Sequence, residues 1–281
     1  MQAPKDIVAY QDGADAGVQG AQIRYGAALA ARWNAHLAVA FVPEQPSLDR
    51  HAGFARGSAI ESMLAAYRQR KQDSVAAIRK LLDEAETQSG VAGELRICDG
   101  EIGEALMLHA RHAGLAVLGS SRRPERQVSA LTLSEDVIFA SGTPSILVPP
   151  SWPADRPVRK VVVGWNASRE AARAISDAMP FLVEADEVRV VVVPEPKISR
   201  LLGQDPGTDI SRHLARYGVP VVLERLQGGH AGEIILAKAR EIEADLIVTG
   251  AFGQPKITEF VFGSATQTLL GNPGIPILLS R

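Results

Sequence analysis

The segment GEALMLHARHAGLAVLG at residues 103–119 lies against GEIILAKAREIEADLIVTG at residues 232–250 when the first is allowed two fewer residues. A match of that kind inside one chain marks an internal repeat, so whatever folds in one half must fold again in the other. The first half runs KDIVAY, an alanine-rich helical segment from about Asp15 to Trp33, HLAVAFVP, a long polar helix within 58–89, and GELRICDG. A helix from Glu101 to about His112, GLAVLGSS, another helical stretch and SGTPSILVPP follow. The second half repeats the order: RKVVVGW, a helix over about 169–183, EVRVVVVPEP, a shorter helix near 209–217 and VPVVLERLQGG. It ends with a helix from Glu233 to about Glu243, ADLIVTG, a glycine-bearing stretch and GIPILLS.

Apolar β-branched runs that alternate with helices need cover on both faces, which calls for open parallel sheets rather than half-exposed antiparallel ones. The expected fold is therefore α/β: two tandem, doubly wound, Rossmann-like domains, each with a five-stranded parallel sheet. They span 1–150 and 156–281, joined through SWPADRPVRK at 151–160, where Pro153 and Pro157 mark a linker. With 281 residues and 46% hydrophobic content the chain can bury the cores such domains require. Doubly wound sheets bind ligands outside the carboxyl ends of the strands, where the winding reverses. For a strand order 3-2-1-4-5 the reversal lies between the first and fourth strands. In the second copy these end at Gly164-Trp165-Asn166 and at Gly250.

From Gly250 the chain reads GAFGQPKITEFVFGSATQTLL, with Gly250, Gly253, Gly263 and Ser264 in the spacing G-x2-G-x9-G-S. Glycines there free the backbone and expose N–H groups, and Gly263-Ser264 opens an apolar-periodic helical run, so bare amides at a helix start stand ready for an anion. This pattern, set between a fourth strand and a last helix, resembles the ATP-binding universal stress protein family. The resemblance covers both halves, and GWNASREAARAISDAMPFL at 164–182 looks like the first-strand turn and helix of tandem members. It implies phosphate and ribose held by Gly250, Gly253, Gly263, Ser264 and Ala265. It also puts Gly164 and Asn166 in the first-strand turn, where the family has an Asp, and the adenine against the backbone near Val192. It implies further that SILVPP and IPILLS, each the last strand of its sheet, pair with each other into an internal pseudo-dimer; a further homodimer stays open.

The copies depart from the family pattern in opposite ways. In the first, Asp12 keeps the acid, but GSSRRPERQVSALTLS retains only Gly119, with arginines near the second glycine position and Leu133 before Ser134. In the second the glycines stay and the acid is Asn166, which hydrogen-bonds but brings a metal no charge. One working site is expected, holding ATP with any Mg²⁺ carried by the nucleotide, in a regulatory stress-response role without a catalytic residue or a protein metal site. The alternatives are a slow ATPase or nucleotide-dependent enzyme, or a ligand-free interaction module or binder of a non-nucleotide metabolite.

A formal charge of −2 gives no electrostatic reason for nucleic acid or an anionic membrane as partner. The single cysteine, Cys98, reads as a small strand hydrophobe and suits a reducing compartment; with no signal-like start and no spanning run, the cytoplasm is expected. Gly13, Gly17 and Gly20 follow G-x3-G-x2-G rather than the dinucleotide spacing and are read as helix-packing residues, and no P-loop motif occurs. His109 and His112, three apart on a helix, lack a completing ligand set and are read as ordinary surface or core histidines. His230 and Lys256 are placed on loops near the site rim, and the mixed charges of 67–86 are read as a solvated helix face.

Overall fold

The computed structural model describes residues 2–11, 20–43, 57–98, 102–119, 138, 141–193, 207–251, 253–256, 259–262, 264–271 and 274–281. The first half comprises β1 (Asp6–Gln11), α1 (Ala21–Trp33), β2 (His36–Phe41), α2 (Gly57–Ser89), β3 (Gly93–Ile97), α3 (Ile102–Arg111), β4 (Leu115–Gly119) and β5 (Ser145–Val148). The second comprises β6 (Lys160–Gly164), α4 (Arg169–Leu182), β7 (Glu187–Val192), α5 (Thr208–Ala215), β8 (Val221–Arg225), α6 (Ala231–Glu241) and β9 (Leu246–Gly250). It continues with β10 (Gly253–Lys256), β11 (Glu259–Phe262), α7 (Ser264–Gly271) and β12 (Ile277–Ser280). Of the expected segment from Asp15, the described helix begins at Ala21; the helical stretch expected before SGTPSILVPP lies, apart from Ile138, outside the described residues.

Ten strands make one sheet in the order β3-β2-β1-β4-β5-β12-β9-β6-β7-β8. Each half is thus wound 3-2-1-4-5 with parallel neighbours, and the halves join where β5 and β12 pair antiparallel, Leu147 with Ile277, Ile146 with Leu278 and Ser145 with Leu279. An edge strand left open would present unpaired N–H and C=O groups. Here each fifth strand is covered by the other, and the residues of both are buried.

The side chains on each face of the sheet merge into one core across the two halves. On one face lie Ile7, Val39, Val163 and Val190; on the other lie Val8, Ala40, Val162 and Val191. Trp33 at the end of α1 meets Phe181 at the end of α4 edge-on, with ring centroids 4.9 Å apart, and Arg32 pairs with Glu184 beside them. The linker is pinned as well. Asp245 accepts from Arg156 Nε at 2.6 Å and from the backbone N–H groups of Arg159 and Lys160 at 2.8 and 2.9 Å. The Arg156 guanidinium lies over the Trp152 ring, 4.8 Å from its centroid.

The copies differ most in the crossover after their second strands. α2 runs 33 residues, and only its later turns reach the core through Ile78, Leu82 and Ala85, whereas the corresponding α5 has eight residues and buries Leu214. No described helix is long and apolar enough to cross a membrane.

Candidate functional site

β6 and β9 are hydrogen-bonded neighbours, with Val161, Val162 and Val163 opposite Leu246, Ile247 and Val248. Their carboxyl ends therefore open side by side at the winding reversal, where Gly164 and Gly250 stand. The turn that follows β6 is built by its own side chains. Trp165 donates its N–H to Val191 at 2.9 Å, Asn166 Oδ1 accepts from the Ser168 N–H at 3.1 Å, and Ala167 takes a left-handed φ of 57°. Ser168 caps α4 by accepting from the Ala171 N–H at 3.1 Å. Asn166 is exposed on this rim, and its carbonyl oxygen shapes the turn.

Gly250 is held by packing. A Cβ there would lie 2.6 Å from the Ala171 nitrogen and the Glu170 carbonyl carbon, so the first turn of α4 occupies that side. From the other side Thr266 Oγ1, in the first turn of α7, donates to the Gly250 carbonyl at 3.4 Å. Two helix starts thus converge on one glycine. Glu170, only 5% exposed, lies beneath them. Burial works against its charge, but the Arg169 guanidinium, its own backbone N–H and the Ser168 hydroxyl outweigh burial and hold its carboxyl below the ordinary range. Arg169 is exposed at the rim, 2.5 Å from that carboxylate. Neither residue carried a motif in the sequence; a serine two residues before a glutamate at a helix start was the only signal of a cap.

From Gly253 to Phe262 the chain pairs with itself as an antiparallel hairpin, β10 against β11, joining Gly253 with Phe262, Gln254 with Val261, Pro255 with Phe260 and Lys256 with Glu259. The spacing of the motif thus acquires a physical meaning: the chain leaves at Gly253 and returns beside it at Phe262, the residue before Gly263. Lys256 lies in a strand rather than in the expected loop, and Gly263 lies outside the described residues. Ser264 opens α7. Ala265 is half-buried, and its carbonyl stands where a Cβ on Gly232 of α6 would come within 2.5 Å. On the same side Thr268 Oγ1 and His230 Nδ1 are 3.4 Å apart.

Val192 stands one strand away, buried at the end of β7, and its carbonyl accepts the Leu226 N–H at 3.0 Å. Gly164 faces Ile235 of α6, whose Cδ1 lies 2.8 Å from where a Cβ would be. Gly164, Asn166, Gly250 and the start of α7 therefore share one rim, with Gly253 at the root of the hairpin above it.

The first copy fills the corresponding place differently. Gly119 ends β4 as Gly250 ends β9, and Gln22, second residue of α1, stands against it as Glu170, second residue of α4, stands against Gly250. Gln22, 3% exposed, donates to the Tyr10 carbonyl at 3.1 Å and to Gln11 Oε1 at 2.6 Å, while its own Oε1 has no partner among the described residues. By register Tyr10 takes the place of Gly164 and donates its hydroxyl to the Leu106 carbonyl. Asp12, Leu133 and Ser134 lie outside the described residues.

Two doubly wound α/β domains fused through their fifth strands, with a rim of helix starts at the reversal of the second, define a tandem double-domain class. Residues 157–281 match the model of the universal stress protein family. The second half thus matches that family's model, and the whole chain shares its tandem fold with solved structures of such proteins. It is similar in fold to the universal stress protein of Archaeoglobus fulgidus DSM 4304, at 16% identity and TM-score 0.72, over 99% of this chain and 98% of that one. A putative universal stress protein from Pseudomonas aeruginosa UCBPP-PA14 (15%, TM-score 0.63, 99% and 94%) and a functionally unknown protein of Pseudomonas aeruginosa PAO1 (14%, TM-score 0.65, 99% and 93%) are similar too. At such identities the likeness is one of fold. No curated protein matches the chain.

Among the described residues no three His, Cys, Asp or Glu side chains gather as a metal site.

Proposed function

We propose that the second half, 156–281, binds an adenine nucleotide, ATP, at the rim between β6 and β9, and that the protein acts through this binding rather than through fast turnover. The observation that carries the reading is the hairpin register: pairing of Gly253 with Phe262 returns the chain to the mouth of the crevice at the start of α7. A triphosphate would then rest on backbone N–H groups of Gly253, Gly263, Ser264 and Ala265, where the helix start favours an anion. Gly250 serves by letting α4 approach, and its carbonyl anchors Thr266. Arg169 brings an exposed guanidinium to this rim, where it pairs with the Glu170 carboxylate. Asn166 offers a ribose hydroxyl a hydrogen bond, beside Gly164, whose lack of a side chain lets Ile235 of α6 pack against the end of β6. The base would lie toward β7; with the Val192 carbonyl already taken by Leu226, any adenine contact there falls to other backbone groups of that edge.

A ligand-free interaction module is the competing reading. The close fit of α4 against Gly250 favours it, because that glycine is explained without a ligand. Mass spectrometry of small molecules released on denaturing the purified full chain, followed by calorimetric titration with ATP, separates the two. Retained adenine nucleotide or saturable binding supports the first, and neither supports the second.

A further inference from the structure

We propose that Cys98 and His109 in the first half form a nucleophilic pair that reacts with a small hydroperoxide, making Cys98 a site of oxidation to sulfenic acid. Cys98 Sγ lies 2.9 Å from His109 Nε2, within reach for a base to take a thiol proton. The cysteine follows β3, its N–H donating to Phe41 at 2.8 Å, and the histidine reaches it from α3.

The internal repeat supplies a control within the same molecule. Leu226 follows β8 and donates its N–H to Val192 as Cys98 does to Phe41. Aligning 103–119 with 232–250 puts Lys238 at the place of His109, and Lys238 there pairs with Glu224 at 3.0 Å. The fold is therefore built in one half with hydrocarbon and an ion pair at the positions where the other half has a thiol and an imidazole. Neither group is demanded by the packing.

The surroundings suit the chemistry. Burial, followed by the charges of Arg96 and His112, holds the His109 imidazole below its ordinary range against the opposing pull of Glu94, so the ring is neutral near pH 7 and able to accept a proton. Arg96, bound to Glu94 at 2.7 Å, contributes a positive charge on the same strand. Tyr10, from β1, is held protonated by burial and by Cys98 itself, and its hydroxyl is committed to the Leu106 carbonyl. A cation on the same strand and a base within reach favour the thiolate, and burial of the thiol works against it. Cys98 is only 9% exposed, so the proposed reaction is with a small uncharged oxidant rather than a bulky electrophile.

In the reaction His109 Nε2 takes the thiol proton as Sγ attacks one peroxide oxygen. An S–O bond forms and the O–O bond breaks, its electron pair leaving on the second oxygen, which receives the proton from the imidazolium. The sulfur is oxidised, the peroxide is reduced to water or an alcohol, and no net proton is released.

The test uses the full chain with hydrogen peroxide and dimedone trapping read by intact-protein mass spectrometry, with Cys98→Ser as the blank. The expected result is trapping at least about tenfold faster than for free cysteine, slowed about tenfold or more in His109→Gln with unchanged circular dichroism. Trapping at or below the free-cysteine rate, or equal rates in a folded His109→Gln, overturns the proposal. If His109→Gln fails to fold, the wild-type protein decides through a bulky maleimide. Fast peroxide reaction with slow maleimide labelling supports the pair, and slow reaction with both overturns it in favour of an inert buried thiol.

Discussion

Glu170 and Gly250 touch through their backbones: a Cβ placed on Gly250 would stand 2.6 Å from the Glu170 carbonyl carbon and 2.8 Å from the Glu170 Cβ. Neighbours of that kind cannot swing aside as the tip of a flexible side chain can. A glycine that looks like a ligand residue in the sequence therefore also has a packing role in the fold, and the two roles can be separated by mutation.

Gly250→Ala is expected to lower stability by about 1–3 kcal/mol, the usual cost of overpacking, seen as a lower urea midpoint. Gly263→Leu, which copies Leu133 of the first half, is expected to leave the midpoint nearly unchanged and to abolish the heat of ATP binding. The reverse pattern, a binding loss without destabilisation for Gly250→Ala, would return Gly250 to the ligand.

The carboxyl of Glu170 is held below its ordinary value of 4.5 in the folded protein. A depressed acid contributes stability that is present above its unfolded value and lost as pH falls through the folded one. Urea midpoints measured down through pH 4.5 should therefore fall more steeply in the wild type than in Glu170→Gln, which mimics Gln22 of the first half. Parallel curves for the two proteins would show that this carboxylate carries no linkage.

ATP binding to the native state stabilises it by RT ln(1 + [L]/Kd), about 2.7 kcal/mol at a hundredfold excess over Kd. Scanning fluorimetry of the full chain should show an upward shift with ATP that Gly263→Leu lacks, and Mg²⁺ should alter it little. Asn166→Asp should make the shift more Mg²⁺-dependent without harming the turn, since a carboxylate oxygen can still accept the Ser168 N–H. A shift that persists in Gly263→Leu would place the nucleotide elsewhere.

Joining β5 to β12 and Trp33 to Phe181 makes each half the cover of the other. Halves produced separately as 1–150 and 156–281 should associate on mixing or aggregate alone, read by analytical ultracentrifugation; two stable, soluble monomers would contradict this. Trp33→Ala should cost the full chain about 3–5 kcal/mol, as loss of a large core aromatic does.

The amino-acid sequence alone determined the repeat, the alternation of strand and helix and the crossing point of the winding, because these follow from hydrophobic period and element order, both local properties of the chain. It also showed a glycine-bearing stretch at Gly253 and a helix start at Ser264. The hairpin between them was not legible: its strands are four residues each, one contains Pro255, and Ile257-Thr258 offers none of the glycine or asparagine turn signals. Only the tertiary structure decided that Gly250 is filled by α4, that Gln22 and Glu170 occupy one position in two copies, and that Cys98 faces His109. Each of these joins residues on different elements, and a contact made by the docking of one element on another leaves no period in either to be read.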